Sequence, residues 1–275
     1  MDRIEFSVAI SVYKNDDPIY FDRALNSIYF EQTVKPKEIV LIVDGPVPQD
    51  INSVISKYEE LTGVLRVIRL PVNKGLGNAL RIAVEEASCD YIARMDSDDI
   101  SLPDRFEAEL SAFSADKDLD VVGGNISEFI GEENNIVAKR IVPKTDKEIK
   151  EYMKTRCPLN HVSVMYKKKS VLDSGNYLDL FWNEDYYLWI RMALKGAKMA
   201  NTGKIAVNVR TGADMYKRRG GTKYFKSELF LQNLMLKEKM IGPFTYICNV
   251  MKRFVLQLVL PSSIRGWVFR TLARQ

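Results

Sequence analysis

With 275 residues, 46% of them hydrophobic, the chain can bury a large core, as one α/β domain or one domain plus an appendage. Its three cysteines, Cys89, Cys157 and Cys248, lie far apart with no Cys-x-x-Cys pair, which argues against a disulfide framework and a zinc site and fits a reducing compartment. The net charge of +4 hides an asymmetry: residues 186–275 carry 17 Lys/Arg against three acids, and residues 1–185 carry 23 against 33. The C-terminal third therefore suits an anionic surface or ligand.

Residues 6–12 (FSVAISV) predict a first strand, too short and without the small-residue cleavage site of a secretory leader. Further short, β-branched runs at 38–43, 64–70 and 91–95 alternate with helical patterns at 19–30, 51–61 and 76–87. That alternation predicts βαβ units and a parallel sheet, and nearly continuous apolar strands agree, because parallel strands are covered on both faces. After Asp99 the rhythm loosens. A helix starts at Leu102-Pro103-Asp104, strands are expected at 120–123, 136–142, 162–166 and 205–209, and a helix at 184–194.

The tail divides at prolines into a helix at 224–240, an apolar run at 244–260 interrupted by Lys252 and Arg253, and a last segment at 264–274. No uncharged apolar stretch reaches the roughly 18–20 residues of a membrane span. In the last segment Ile264, Trp267, Val268 and Leu272 share a face, with Arg265, Arg270 and Arg274 off it. A basic, amphipathic, Trp-bearing helix suits a bilayer interface; packing on the catalytic domain or a partner subunit is the alternative. The interleaved aliphatics favour membrane over nucleic acid.

Four strand tips carry polar chemistry. The first strand runs into Val12-Tyr13-Lys14-Asn15-Asp16-Asp17, the second into Asp44-Gly45-Pro46, the third into Asn73-Lys74-Gly75 at a helix start, and the fourth into Asp96-Ser97-Asp98-Asp99. In open α/β sheets such tips line one ligand crevice, and a helix N-terminus suits an anion. Asp-x-Asp occurs three times, but only Asp96 and Asp98 follow a strand; Asp116, Asp118 and Asp120 read as a solvated turn. Paired carboxylates suit Mg²⁺ or Mn²⁺, which takes one or two acids and otherwise binds water and phosphate oxygens. Downstream, Glu184-Asp185 enters a helix amid Phe181, Trp182, Tyr186, Tyr187 and Trp189. A carboxylate there can deprotonate a hydroxyl while aromatics stack on sugar; a helix-dipole role is the alternative.

Taken in order, SVAISVY, EIVLIVDGP, NKGLGNAL, YIARMDSDDISLPDR, PLNHVSVM, NEDYYLWIR and the Arg210–Gly221 segment resemble the family-2 glycosyltransferases of GT-A fold, in particular the bacterial exopolysaccharide branch of amylovoran type. The resemblance implies a Rossmann-like, mostly parallel central sheet flanked by helices. It implies a GT-A catalytic domain at 1–222, nucleotide-binding to about residue 100 and acceptor-binding beyond, with a basic amphipathic region at 223–275. It further implies a UDP-sugar donor, Mn²⁺ or Mg²⁺ and a saccharide acceptor; the basic, Trp-bearing tail, in a chain with neither signal nor span, adds the expectation of a lipid-linked saccharide acceptor and a cytoplasmic enzyme on the inner face of a bacterial plasma membrane. Carried onto this chain, Asp44 recognises uracil, Asp96 approaches the ribose, Asp98 holds the metal, and Asp185 is the base of an inverting displacement, with Glu184 supporting it or binding the acceptor. Ser11, Tyr13, Asn73, Lys74, Gly75, Arg94 and Ser97 line the nucleotide site. Arg210, Lys217 and Arg218 form a basic segment near the diphosphate, and His161 is a further candidate for a metal, phosphate or acceptor contact. Two departures stand out: Ser11 replaces a common proline, and Leu80 replaces an arginine, leaving phosphate neutralisation to Lys74, Arg94 or the basic segment. A sugar-phosphate nucleotidyltransferase and a non-catalytic membrane-surface module remain as alternatives, although the first strand lacks the glycine-rich loop of the former.

Overall fold

The computed structural model describes residues 4–212 and 220–260. Its first half alternates regularly: β1 (Phe6–Val12), α1 (Pro18–Tyr29), β2 (Glu38–Val43), α2 (Gln49–Thr62), β3 (Leu65–Arg69), α3 (Leu76–Glu86) and β4 (Tyr91–Met95). There follow β5 (Ile100–Ser101), α4 (Arg105–Ala115), β6 (Leu119–Phe129), β7 (Ile136–Arg140), α5 (Asp146–Met153), a 3₁₀ turn at His161–Ser163, β8 (Met165–Lys167), α6 (Lys168–Asp173), α7 (Glu184–Leu194) and β9 (Lys198–Arg210). Helices α8 (Thr222–Lys237) and α9 (Pro243–Phe254) close the described chain, α9 running into a π turn at Val255–Val259.

All nine strands form one sheet in the order β3-β2-β1-β4-β8-β6-β9-β5, with β7 paired to β6. The first four are mutually parallel, in the register Val12 to Val43 and Ile10 to Met95, so their carboxyl ends emerge along one edge. β8 enters antiparallel between β4 and β6. Side chains alternate across the strands: Ala9, Val40 and Ile42 meet α3 and α7, while Val8, Ile10, Leu41 and Val43 meet α1, α2 and α4. Covered faces of this kind explain the uninterrupted apolar runs.

The second half differs from expectation in ways its residues explain. β6 and β9 are far longer than the expected 120–123 and 205–209, because Gly123-Gly124 and Thr202-Gly203-Lys204 mask strands held by pairing to each other. A Cβ on Gly124 would lie 2.6 Å from the Ala206 Cβ, so glycine permits the close approach. α5 was unexpected, although Thr145 and Glu148 form a reciprocal capping box at its start. The strand expected at 162–166 begins as the 3₁₀ turn. Nor is Asp120 part of a solvated turn: it sits on β6 and accepts hydrogen bonds from the Ser170 hydroxyl and the Lys198 N–H. The segment 264–274, and Lys217 and Arg218, lie outside the described residues.

Candidate active site

The strand tips are stitched to one another. At the end of β1, Asp17 caps α1 by accepting the Ile19 and Tyr20 N–H groups, while Asp16 turns inward to accept the Tyr13 N–H at 3.0 Å and the Ser97 hydroxyl at 2.9 Å. Ser11 is half-buried on β1, and the Tyr13 ring and the Lys74 side chain are exposed. Asp44 is buried at the end of β2. Its two oxygens accept the N–H groups of Lys74 at 2.7 Å and Gly75 at 2.9 Å, and its carbonyl accepts the Asn73 amide at 3.2 Å. The anion served by the 73–75 loop is therefore the protein's own carboxylate, which corrects the expectation that these N–H groups stand open to phosphate. Gly45, at φ +88°, has no room for a side chain, because a Cβ would lie 2.7 Å from the Asn73 nitrogen.

Near the end of β4, Arg94 is fully buried and grips both oxygens of Asp96 through its two terminal nitrogens. Asp98 opens to solvent at the rim but is crowded by protein; burial, then Asp96 and Asp16, raise its pKa to about 6. Asp99 is buried and accepts the Arg210 N–H at 2.8 Å. The Arg210 guanidinium donates to the carbonyls of Asp98 and Gly131, both at 3.2 Å, and lies 3.6 Å from the Tyr20 ring centroid and 4.7 Å from that of Phe129. Arg210 thus fastens the acidic loop in place.

The second acid pair opens α7. Both acids stand in its first turn, where the dipole favours negative charge, yet burial wins: it raises Glu184 to about 7, with Asp185 adding repulsion, and raises Asp185 as well. The Cys157 thiol lies 3.4 Å from the Leu159 carbonyl and 3.6 Å from one Asp185 oxygen, and its single proton can be donated to either. Burial, then the Asp185 charge, push that thiol upward and keep it protonated. Arg140 steadies the same turn by donating to the Cys157 carbonyl at 2.6 Å. Just before the pair, Phe181 and Trp182 stack at 4.5 Å and are both exposed. Trp182 holds φ +54°, unusual for a bulky residue and concentrated at functional sites.

One side chain joins the two clusters. The buried Arg94 charge acts most on Asp96, to which it is hydrogen-bonded, and reaches Asp98, Asp99, Glu184 and Asp185 as well, and Asp96 in turn repels Glu184. Helix α3, which starts at the loop bound by Asp44, reaches the same place: a Cβ on Gly77 would lie 3.4 Å from the Glu184 Cβ. Leu80 is buried in the core. His161 instead contacts Tyr177 through Nε2 at 2.9 Å and is held neutral by burial and the Arg94 charge. Asp96, Asp98 and His161 do not assemble a ligand set, since no three His, Cys, Asp or Glu side chains do so among the described residues. Asp96 is taken by Arg94 and His161 by Tyr177. Asp98 fits a hard cation, because a cation there would relieve the repulsion from Asp16 and Asp96, and such ions need only one or two carboxylates. Asp16 and Cys157 were not among the candidates. The Asp16-Asp17 doublet was the available signal, one acid capping a helix and the other free to turn inward.

A parallel strand order of 3-2-1-4 continued by a mixed half is the architecture of GT-A glycosyltransferases. The chain belongs to glycosyl transferase family 2, whose family model matches residues 7–173, and it is a glycosyltransferase. It is 33% identical over 276 residues to an Escherichia coli UDP-Gal:alpha-D-GlcNAc-diphosphoundecaprenol beta-1,3-galactosyltransferase, spanning 100% of this chain and 98% of the relative. It is 34% identical over 237 residues to amylovoran biosynthesis glycosyltransferase AmsE of Erwinia amylovora, spanning 86% and 88%. Its fold is similar to that of a mannosyltransferase from Pyrobaculum calidifontis in complex with GDP-Man and Mn²⁺, with a TM-score of 0.63, 13% identity, and 98% and 76% of the two chains covered. The nucleotidyltransferase and the non-catalytic module give way to this assignment.

Proposed function

We propose that the protein is a metal-dependent, inverting transferase that moves one sugar from UDP to a hydroxyl of a polyprenyl-diphosphate-linked saccharide, in bacterial surface or exopolysaccharide synthesis. The observation that carries it is the approach of the two acid clusters: the buried Arg94 holds Asp96 and its charge also reaches Asp98 and Asp185, and the start of α3 at Gly77 packs against Glu184. Asp44, with both oxygens already oriented by N–H donors, keeps lone pairs for the uracil N–H. Asp98 would hold Mn²⁺ or Mg²⁺, which when bound neutralises charge on the departing diphosphate. Asp96, fixed by Arg94, faces the ribose, and Ser97 ties Asp16 to the same rim. Lys74 adds an exposed cation, and Lys217 and Arg218 supply more positive charge near the diphosphate.

Asp185 accepts the proton of the attacking hydroxyl. The Cys157 thiol holds one of its oxygens and leaves the other for that proton. Glu184 binds the acceptor, and Phe181 and Trp182 stack on its sugar. One displacement by a base on the acceptor side inverts the anomeric carbon. Residues 1–222 act as the catalytic unit, and 223–275 hold the enzyme on the anionic inner face of the plasma membrane. The lipid-linked acceptor is supported by the Escherichia coli relative, whose name specifies a diphosphoundecaprenol saccharide, matched over nearly its full length. A panel of UDP- and GDP-sugars with a short-chain prenyl-diphosphate saccharide tests the reading. Transfer from a UDP-sugar that stops with chelator and yields the opposite anomer is expected; chelator-resistant transfer, or retention, would overturn it.

A further inference from the structure

Helix α9 is built inside out. Asn249, Arg253 and Gln257 are 3–9% exposed, whereas Phe244, Ile247, Met251 and Val259 are 55–81% exposed. Phe254, Val255 and Leu258 extend the exposed apolar face, and Lys252 is the exposed charge on the helix. A helix on a water-soluble surface has the opposite polarity.

The inversion is fixed by specific bonds. Arg253 pairs with Glu228 of α8 and donates to the Thr155 carbonyl at 2.8 Å. Asn249 donates to the Lys154 carbonyl at 2.8 Å and to Gln232 of α8 at 2.9 Å. Rolling α9 to bury its apolar face would strand Glu228 and Arg253 without each other, and an unpaired buried charge is strongly unfavourable. The apolar face is thus locked outward. Helix α8 then ties this platform to the acceptor side: Ser227 donates to the Phe181 carbonyl and accepts from Asn183, both at 2.8 Å.

We propose that the outward face of α9, from Phe244 to Val259, lies in the interfacial layer of an anionic bilayer, and so sets Phe181, Trp182 and the acids of α7 at the height of a lipid-linked acceptor. The inference rests on the lipid-linked acceptor proposed above. Charge selects the occupant: Lys252 is exposed beside the apolar stripe, and no acid follows Glu238 in the sequence. That arrangement suits anionic headgroups, whereas a second copy docked face to face would oppose like charges.

The test is co-flotation of the full chain with vesicles of phosphatidylcholine containing phosphatidylglycerol, for the wild type and the double variant Ile247→Glu/Met251→Glu. Size and sugar transfer to a water-soluble acceptor are measured in parallel. The wild type should float, and the variant should partition at least roughly tenfold less while transferring to the soluble acceptor at an unchanged rate. Phe244→Ser, at the most exposed position, provides the same comparison should the double variant unfold. Equal flotation of wild type and variants overturns the proposal. So does a wild-type dimer that the double variant splits, since the face would then belong to a second copy. Flotation without transfer from any nucleotide sugar would leave the docking face standing and remove the enzymatic reading instead.

Discussion

Burial and then the charges of Asp96 and Asp16 raise Asp98, against a backbone N–H bond and, after it, the Arg94 charge. A carboxylate so placed binds protons and cations in competition. With its pKa near 6, Mn²⁺ affinity should fall as pH drops through 6, and Asp98→Ala should remove the Mn²⁺-dependent part of UDP binding; calorimetry at pH 7.5 and 5.5 reads both. Binding that is flat across that range would contradict the assignment. At Asp185 the Cys157 thiol favours the ionised form when it donates there. Cys157→Ala should therefore raise the base's pKa and move the acid limb of the kcat/KM profile to higher pH, while Cys157→Ser restores it; an unmoved limb would show that the thiol only fills space. The acids at the strand tips were legible from their position after apolar runs. The partners that decide their chemistry were not, because Arg94 with Asp96, Cys157 with Asp185 and His161 with Tyr177 are side-chain choices that no spacing encodes.

At the scale of elements, α4 supports the acidic loop from behind. Arg105 and Glu109 are both buried, and Arg105 donates to the Arg94 carbonyl at 2.7 Å and the Val164 carbonyl at 3.3 Å, joining β4 to the segment before β8. Arg105→Met should destabilise the fold by about 3–5 kcal/mol, because Glu109 is left buried and unpaired, and Arg105→Met/Glu109→Leu should recover most of that loss in urea denaturation. Burial, opposed by Arg105, raises Glu109 from 4.5 to about 7. The folded state then binds this proton more tightly than the unfolded state, so the contribution of Glu109 to stability is present below pH 4.5 and declines as pH rises through 7. Glu109→Gln should flatten the pH dependence of stability in that window; an unchanged slope would place the titration elsewhere. The regular βαβ half was readable because each strand and helix carries its own periodicity. β6, β9 and β5 are held by pairing between distant segments, and glycines interrupt the local signal, so their extent was not.

For the whole molecule, the family and the parallel sheet followed from the order of motifs along the chain. The orientation of α9 did not. Periodicity reveals that apolar residues share a face but carries no sign, and only the bonds of Asn249 and Arg253 to α8 and the 154–155 turn show which side looks out. Among the described residues no helix is long and apolar enough to cross a membrane.

The division of labour between the two acid clusters is tested most directly by Asp185→Asn, measured for both single-turnover sugar transfer and Mn²⁺-dependent UDP binding. Transfer should fall by about 10²- to 10⁴-fold or more, with UDP affinity unchanged, because the donor-side carboxylates are untouched. Near-normal transfer, or a parallel loss of UDP binding, would contradict an acceptor-side base working opposite a donor-side cation site.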